Sequence, residues 1–134
     1  MKSLLDLEKI INSELTTKVN YSEIKHNQIY ITTDSEDIID VILFLKVSEK
    51  TKFKQLIDLT AVDYPENDKR FKLVYLLLSH EFNNRIIVQC EINENEIVPS
   101  LTKIYPSSNW MEREVFDMYG ISFKDHPDLR RILT

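Results

Sequence analysis

Three strand-like segments in the middle of the chain most strongly constrain the fold. They read KFKQLIDLTAVDY, FKLVYLLLSH and RIIVQCEI, and the turn-forming segments PEND (65–68) and EFNN (81–84) separate them. The second segment is almost continuously apolar, as expected of a central strand. The first alternates, which predicts one face with Leu56, Asp58 and Thr60 and an opposite face with Ile57, Leu59 and Ala61.

The first thirty residues predict a helix followed by a β-hairpin. Apolar residues recur at helical spacing over about residues 3–16, and Ser3 and Asp6 resemble a capping pair at the start. The next runs, VNYSEIK and QIYITT, are separated by His26 and Asn27. Asparagine tolerates the left-handed turn conformation, so these two residues fit a tight hairpin turn.

A second helix is predicted over about residues 35–48. Thr33 and Glu36 form a T-x-x-E capping box directly before an apolar stretch, and Ile38, Ile42 and Leu45 recur at helical spacing. The stretch is rich in β-branched residues, so a buried strand is the competing interpretation.

The character of the sequence changes after residue 95. Val98-Pro99-Ser100 predicts a short helical piece ending near Tyr105-Pro106. Asn109 and Glu112 form an N-x-x-E cap for the helix that follows, and Gly120 is placed to end that helix as its C′ residue.

The element order is α-β-β-α-β-β-β followed by helices, which is typical of an α+β fold. We therefore predict a two-layer architecture, with two helices on one face of a five-stranded mixed sheet, then C-terminal helices and an extended tail. No linker or repeat interrupts the sequence. The prediction is one domain over 1–134, with an α+β core at 1–106 and a helix with its tail at 107–134.

Composition excludes several classes of function. Seventeen basic and 22 acidic residues give a net charge of −5, which argues against nucleic-acid binding. The single glycine, Gly120, rules out glycine-rich phosphate loops, and the lone Cys90 rules out an internal disulfide and any multi-cysteine metal or iron–sulfur site. No apolar run reaches the roughly 18 residues of a membrane span. The three histidines lack metal-ligand spacing, so no metal site is expected.

The segment 110–119 carries the most unusual residue pattern. On a helical wheel, Glu112 falls inside an apolar arc, opposite an arc that holds Trp110, Arg113, Glu114 and Asp117. The apolar arc consists of Met111, Val115, Met118 and Tyr119, with Phe116 at its edge.

Three interpretations of this segment are open. The carboxylates Glu112, Glu114 and Asp117, or the last two with His126, could serve acid–base catalysis. The more common arrangement is a charged helix face with an Arg113–Asp117 ion pair. In the third interpretation Glu112 lies at an interface and meets an arginine, either from a partner or from the tail, at Arg130 or Arg131, because a carboxylate among apolar groups needs such a partner.

The segment EREVFDMYGISFKDHPDLRRIL (112–133) resembles the C subunit of bacterial NADH–quinone oxidoreductase, the 30-kDa subunit of respiratory complex I. The stretches LIDLTAVDYPEN, RFKLVYLLLS, NRIIVQCEI and SSNWMERE are similar to the family as well, so the resemblance covers about residues 53–134. Family members usually continue beyond this motif, whereas the sequence ends at Thr134, so we expect the usual C-terminal extension to be lacking. The signature residues are Trp110, Glu112, Arg113, Glu114, Asp117, Gly120, His126, Pro127, Asp128, Arg130 and Arg131.

The resemblance implies a peripheral-arm subunit of a proton-pumping complex that passes electrons from NADH to quinone. Such a subunit has no catalytic residues and no cofactor of its own, because FMN, iron–sulfur clusters and quinone belong to other subunits. The implied partners are the 49-kDa (D-type) subunit that forms the quinone pocket and the neighbouring iron–sulfur subunits. The implied location is the cytoplasmic side of the bacterial inner membrane, or the mitochondrial matrix side. The signature residues are then partner contacts or structural residues.

Two other functions stay open from the sequence. One is a free-standing α+β protein-binding domain, and the other is a subunit of a related hydrogenase-type complex.

Overall fold

The structure of the protein, a computed structural model, describes residues 3–127. The helices in this range are α1 (Leu4–Glu14), α2 (Ile38–Val47), which follows a 3-10 turn at Ser35–Asp37, and α3 (Ser108–Tyr119). The strands are β1 (Val19–Lys25), β2 (Gln28–Thr33), β3 (Gln55–Asp63), β4 (Phe71–Ser79), β5 (Asn84–Ile92), β6 (Val98–Pro99) and β7 (Phe123–Lys124).

Five strands form one mixed sheet in the order β1-β2-β5-β4-β3. The pairs β1–β2, β4–β5 and β3–β4 are antiparallel, and only β2–β5 is parallel among the strands of this sheet. Strands β6 and β7 form a separate parallel pair of two residues each. The predicted α+β fold with a five-stranded mixed sheet is therefore confirmed.

The sheet buries one face. The strand register places Ile31 beside Val88 and Val88 beside Tyr75, so inward residues of three strands form one continuous apolar row. We call this side the covered face; it consists of Ile29, Ile31, Leu56, Leu59, Ala61, Phe71, Leu73, Tyr75, Leu77, Ile86, Val88, Cys90 and Ile92. The alternate residues form the open face, which is only half-buried and includes Tyr30, Val74, Leu76, Leu78 and Ile87.

All three helices contribute to the core on the covered face. Leu7 and Ile11 of α1, Ile42 and Leu45 of α2, and Val115 of α3 belong to the same buried cluster as the strand residues. Both predicted N-terminal helices are confirmed, and the buried-strand alternative for the second one is wrong. The predicted cap of α1 is also present, because the Asp6 N–H donates to Ser3 Oγ at 3.1 Å.

The predicted hairpin turn between β1 and β2 is confirmed. His26 and Asn27 have φ values of 52° and 62°, and the residues on either side of them, Lys25 and Gln28, pair directly. Two successive positive φ values define the type I′ turn, whose twist matches that of the flanking strands.

A β-bulge in β3 overturns the predicted strand faces. Leu56 pairs with Leu77, yet Asp58 pairs with Leu76, so Ile57 is an extra residue without a counterpart on β4. The bulge shifts the alternation by one residue. Leu56 therefore shares the covered face with Leu59 instead of lying with Asp58 and Thr60.

The predicted capping box at the start of α2 is wrong. Thr33 lies at the end of β2 with its side chain buried, and its hydroxyl donates to the Lys18 carbonyl oxygen at 2.6 Å. Among residues 3–127, no side chain caps the start of α2, and the chain enters the helix through the 3-10 turn instead. The hydroxyl of Thr33 is thus held by its bond to Lys18 next to the β1–β2 pair and is not available to cap α2.

The short helical piece predicted from Val98 is also different in the structure. Val98 and Pro99 form β6, and the chain segment after α3 holds them: the Val98 N–H donates to the Ser122 carbonyl at 3.0 Å and the Ser100 N–H to the Lys124 carbonyl at 3.1 Å. A helical turn remains only at 101–105. The predicted helix start fails because these backbone bonds come from residues distant in sequence.

Tyr75→Phe is expected to raise the free energy of unfolding by about 1 kcal/mol, since an unsatisfied buried hydroxyl costs more than it contributes. Tyr75 is fully buried on the covered face, and its hydroxyl makes no hydrogen bond within residues 3–127. Urea unfolding of both forms measures the difference. The matched control is Tyr105→Phe, which should lower stability because the Tyr105 hydroxyl donates to the Phe53 carbonyl. A loss of stability in Tyr75→Phe would contradict the expectation.

Candidate functional site around helix α3

Glu112 is a fully buried carboxylate that joins α3 to the segment after β6. Its Oε1 accepts a hydrogen bond from Ser100 Oγ at 2.7 Å, and its Oε2 accepts one from the Leu101 N–H at 2.8 Å. Ser108, one turn earlier on α3, also donates its hydroxyl to Oε2. Three donors thus offset part of the hydration that the carboxylate loses on burial.

These contacts differ from the helix cap that the sequence predicted for Glu112. The N-x-x-E cap with Asn109 is wrong, because α3 starts without a side-chain cap and Glu112 faces inward. The predicted arginine partners, Arg130 and Arg131, lie outside the described residues, as does Asp128. Within residues 3–127, hydroxyls and a backbone amide hold the carboxylate.

Burial raises the pKa of Glu112, because the ionised form loses its hydration. The hydrogen bonds from Ser108, Leu101 and Ser100, and the charge of His126, act in the opposite direction without cancelling the effect.

Glu112→Gln is expected to remove part of the pH dependence of stability. A carboxyl group with a raised folded-state pKa stabilises the fold fully below its unfolded-state pKa, and that contribution falls as the pH rises through the folded-state value. The stability of the natural chain relative to Glu112→Gln should therefore be greater near about pH 4.5 than near about pH 8. Urea titrations at the two pH values measure this, with exposed Glu114→Gln as the control. An unchanged difference would mean that Glu112 ionises equally readily in both states.

A hydrogen bond from His126 connects the end of the described chain to the start of α3. The side chain is fully buried, and its Nε2 lies 2.8 Å from the Asn109 carbonyl oxygen. A carbonyl can only accept, so Nε2 carries the proton and donates it. The backbone N–H of His126 donates to the Phe123 carbonyl at 3.3 Å, and Pro127 after it is exposed.

Gly120 ends α3 as the sequence predicted. Its φ is +72°, in the left-handed region, and its N–H donates to the Phe116 carbonyl at 2.8 Å. A side chain at this position would be strained by the backbone conformation even though no atom lies near the Cβ position. The chain then turns into Ile121, which is buried in the core.

The outer surface of α3 is partly apolar. Trp110 is 69% exposed and Met118 is 73% exposed, although the wheel placed Met118 with the buried residues. Glu114 and Asp117 are exposed as well, and Arg113 is half-buried. Met118 is exposed because α3 packs at the edge of the sheet, where β3 is the last strand.

The catalytic interpretation has no geometric support. The side chains of Glu114 and Asp117 are exposed and make no hydrogen bond or ion pair with any part of the chain that the structure describes. His126 is buried against Asn109, and neither it nor Asp117 lines the surface groove between α3 and β3 that Glu114 borders. The predicted Arg113–Asp117 ion pair is also absent from residues 3–127.

Two further features bear on cofactor chemistry. Burial raises the pKa of the Cys90 thiol to about 12, so Cys90 is protonated at neutral pH and unsuited to bind a metal as thiolate. In the described part of the chain, Asp34, Glu36 and Asp37 are the one group of potential ligands close together, with oxygens within 4.8 Å of one another. They lie at the surface, where acidic groups are common without a cation.

None of the helices between residues 3 and 127 is long and apolar enough to cross a membrane.

Sequence reasoning missed Ser100 and Ser108 as partners of Glu112. Ser108 lies four residues before Glu112, which is the spacing of neighbours on one helix face, so its role had a local signal. Ser100 had no such signal, because β6 brings it to Glu112 through pairing with β7.

The fold and the site together define an α+β domain whose helices cover one face of the sheet. Its buried carboxylate, Glu112, has a structural role, because it links α3 to the segment after β6. The chain belongs to the family described as "Respiratory-chain NADH dehydrogenase, 30 Kd subunit", whose sequence profile matches residues 31–134.

Relatives and a solved structure agree with this assignment. The NADH-quinone oxidoreductase C subunit of Dinoroseobacter shibae is 50% identical over 113 residues, which are 84% of this chain and 53% of that protein. The same protein of a Ruegeria species is 44% identical over all 134 residues, which are 67% of its length. The trypsin-resistant fragment of Nqo5 has the same fold, with a TM-score of 0.79 and 26% identity over 91% of this chain and 98% of that one. The chain thus spans about half to two-thirds of the curated relatives it matches.

Proposed function

We propose that the chain is a peripheral-arm subunit of proton-pumping NADH:quinone oxidoreductase, complex I, and that it supports assembly of the quinone-reducing module. The observation that carries the proposal is the family match over residues 31–134. The signature from Glu112 to Arg131 falls within this match, and the two relatives described above are 50% identical over 113 residues and 44% identical over 134 residues.

In this proposal the chain holds no redox cofactor, and FMN, the iron–sulfur clusters and quinone are carried by other subunits. Its contribution to electron transfer from NADH to quinone is to hold the redox subunits in place. The chemistry of Cys90 supports this division, because one buried, protonated thiol cannot supply the several thiolates that an iron–sulfur cluster needs.

The signature residues between Trp110 and His126 divide into two groups under this proposal. Glu112, Gly120 and His126 shape the α3 segment, as their hydrogen bonds and backbone geometry indicate. Trp110, Arg113, Glu114 and Asp117 lie on the outside of α3 and are available to partners. The proposed partners are the quinone-pocket subunit and the neighbouring iron–sulfur subunits. The proposed location is the cytoplasmic or matrix side of the membrane, peripheral to it.

The test is to express a tagged copy of the 134-residue chain in cells that naturally produce the protein. The membranes of these cells are solubilised, and their protein complexes are separated on a native gel. We expect the tag to migrate with the band that oxidises NADH, and mass spectrometry of that band to find the quinone-pocket subunit. A chain found only as a free monomer, with none in the NADH-oxidising band, would contradict the proposal and favour a free-standing binding domain. An untagged chain in the same cells controls for tag effects on complex abundance.

A further inference from the structure

A groove runs between α3 and the edge strand β3. Met111, Met118 and Tyr119 line it from the helix, and Thr60 and Ala61 line it from the strand. Its volume is about 240 Å³, which is enough for one or two side chains of a partner. We call it the α3–β3 groove.

The groove continues into the exposed apolar surface of α3. Trp110, Glu114 and Met118 are spaced by four residues, so they lie on one face of the helix, and Glu114 and Met118 line the groove. The two apolar members are about seven-tenths exposed. Large apolar side chains clustered beside an apolar groove are characteristic of protein interaction sites.

The rim of the groove is acidic. Asp58 on β3 and Glu114 on α3 both line it, and neither forms an ion pair with another residue between 3 and 127. Asp58 only accepts a hydrogen bond from the neighbouring Leu59 N–H at 2.9 Å. Two carboxylates beside an apolar groove favour an occupant that combines an apolar side chain with a basic one.

The edge of β3 disfavours an added strand as the occupant. The bulge at Ile57 interrupts the regular spacing of backbone groups, and the Asp58 carboxylate occupies the Leu59 N–H. Bulges and charged side chains are devices that prevent strand addition at sheet edges. The groove is therefore suited to contacts with side chains of a helix or loop.

We propose that the α3–β3 groove is the docking site for a segment of a neighbouring subunit of the complex. That segment inserts an apolar side chain between Met111 and Met118 and places an arginine or lysine between Asp58 and Glu114. The proposal rests on the proposed function and adds to it the surface and the chemistry of the partner segment.

The first test is photo-crosslinking in the assembled complex. The full chain carries p-benzoylphenylalanine at position 118 or, as a control, at position 5, because Leu5 is 64% exposed on α1 and does not line the groove. We expect position 118 to crosslink to one subunit of the complex, at a peptide with an apolar residue and an arginine or lysine close together. Position 5 should not crosslink to that peptide.

The second test reverses the rim charges. Asp58→Lys with Glu114→Lys should lower the fraction of chain in the NADH-oxidising band at least about tenfold. The matched control, Glu66→Lys with Asp68→Lys, makes the same charge change in the exposed turn after β3 and should leave that fraction unchanged. Thermal unfolding of the purified variants checks that both still fold, as expected for exposed positions.

The outcomes separate this proposal from the proposed function. If the natural chain enters the complex while position 118 crosslinks to nothing and the rim variant enters normally, the docking proposal is wrong and the function stands. Crosslinks from position 118 to a second copy of the chain would also overturn it. If the natural chain never enters the complex, the proposed function fails, and this occupant fails with it.

Discussion

Glu112→Ala is expected to lower the free energy of unfolding of the chain by about 3 kcal/mol. The substitution removes a fully buried carboxylate and leaves three donors without their acceptor, namely Ser100 Oγ, Ser108 Oγ and the Leu101 N–H. It also opens a small cavity between α3 and the loop that follows β6. Urea unfolding monitored by the fluorescence of the single tryptophan, Trp110, measures the loss.

The control for this prediction is Glu114→Ala on the same helix. The side chain of Glu114 is exposed and makes no hydrogen bond with residues 3–127, so its removal should change stability by no more than about 0.5 kcal/mol. Similar effects of the two substitutions would show that the hydrogen bonds of Glu112 do not stabilise α3. A large loss with Glu112→Ala also means that poor assembly of this variant reflects a weakened fold, so the variant does not report on partner contacts.

Leu77→Ala is expected to lower the free energy of unfolding by about 3 kcal/mol, within the range measured for buried leucines. Leu77 is fully buried on the covered face of β4, where it pairs with Leu56 and Ile86. The matched control is its neighbour Leu76→Ala, on the half-buried open face, which should cost only about 1 kcal/mol. Denaturant unfolding of the two variants compares the faces at nearly the same place in the sheet.

A Leu76→Ala loss as large as that of Leu77→Ala would contradict a one-sided sheet. It would indicate that the open face is also buried in solution, for example against a second copy of the chain. Sedimentation of the natural chain at several concentrations distinguishes that case from a monomer.

Local patterns in the sequence were sufficient to predict most of the secondary structure. Helical spacing of apolar residues located α1 and α2, and the His26-Asn27 pair located the first hairpin. Long-range pairing could not be read in this way. The parallel contact of β2 with β5, the bulge at Ile57 and the short β6–β7 pair each depend on residues far apart in sequence. The predictions that failed at Thr33 and Val98 failed for that reason.

The candidate site shows the same difference between local patterns, which the sequence reveals, and long-range contacts, which it does not. The helical wheel marked Glu112 as misplaced among apolar residues, and the structure gives it buried polar partners. The wheel could not place Met118, because its exposure depends on where α3 lies relative to the last strand of the sheet. The α3–β3 groove could not be predicted either, since Asp58 and Glu114 line the same groove only after α3 packs against β3.

The strand order also governs how the protein can be made on the ribosome. The middle strand of the sheet, β5, is synthesised after the other four, and it is the only strand of the sheet that joins the β1–β2 hairpin to β3 and β4. Until β5 emerges, Ile29 and Ile31 have no neighbouring strand on their second side. A nascent chain that ends within β4 therefore exposes apolar surface from both halves of the sheet. A ribosomal pause at that point therefore prolongs the exposure of aggregation-prone surface.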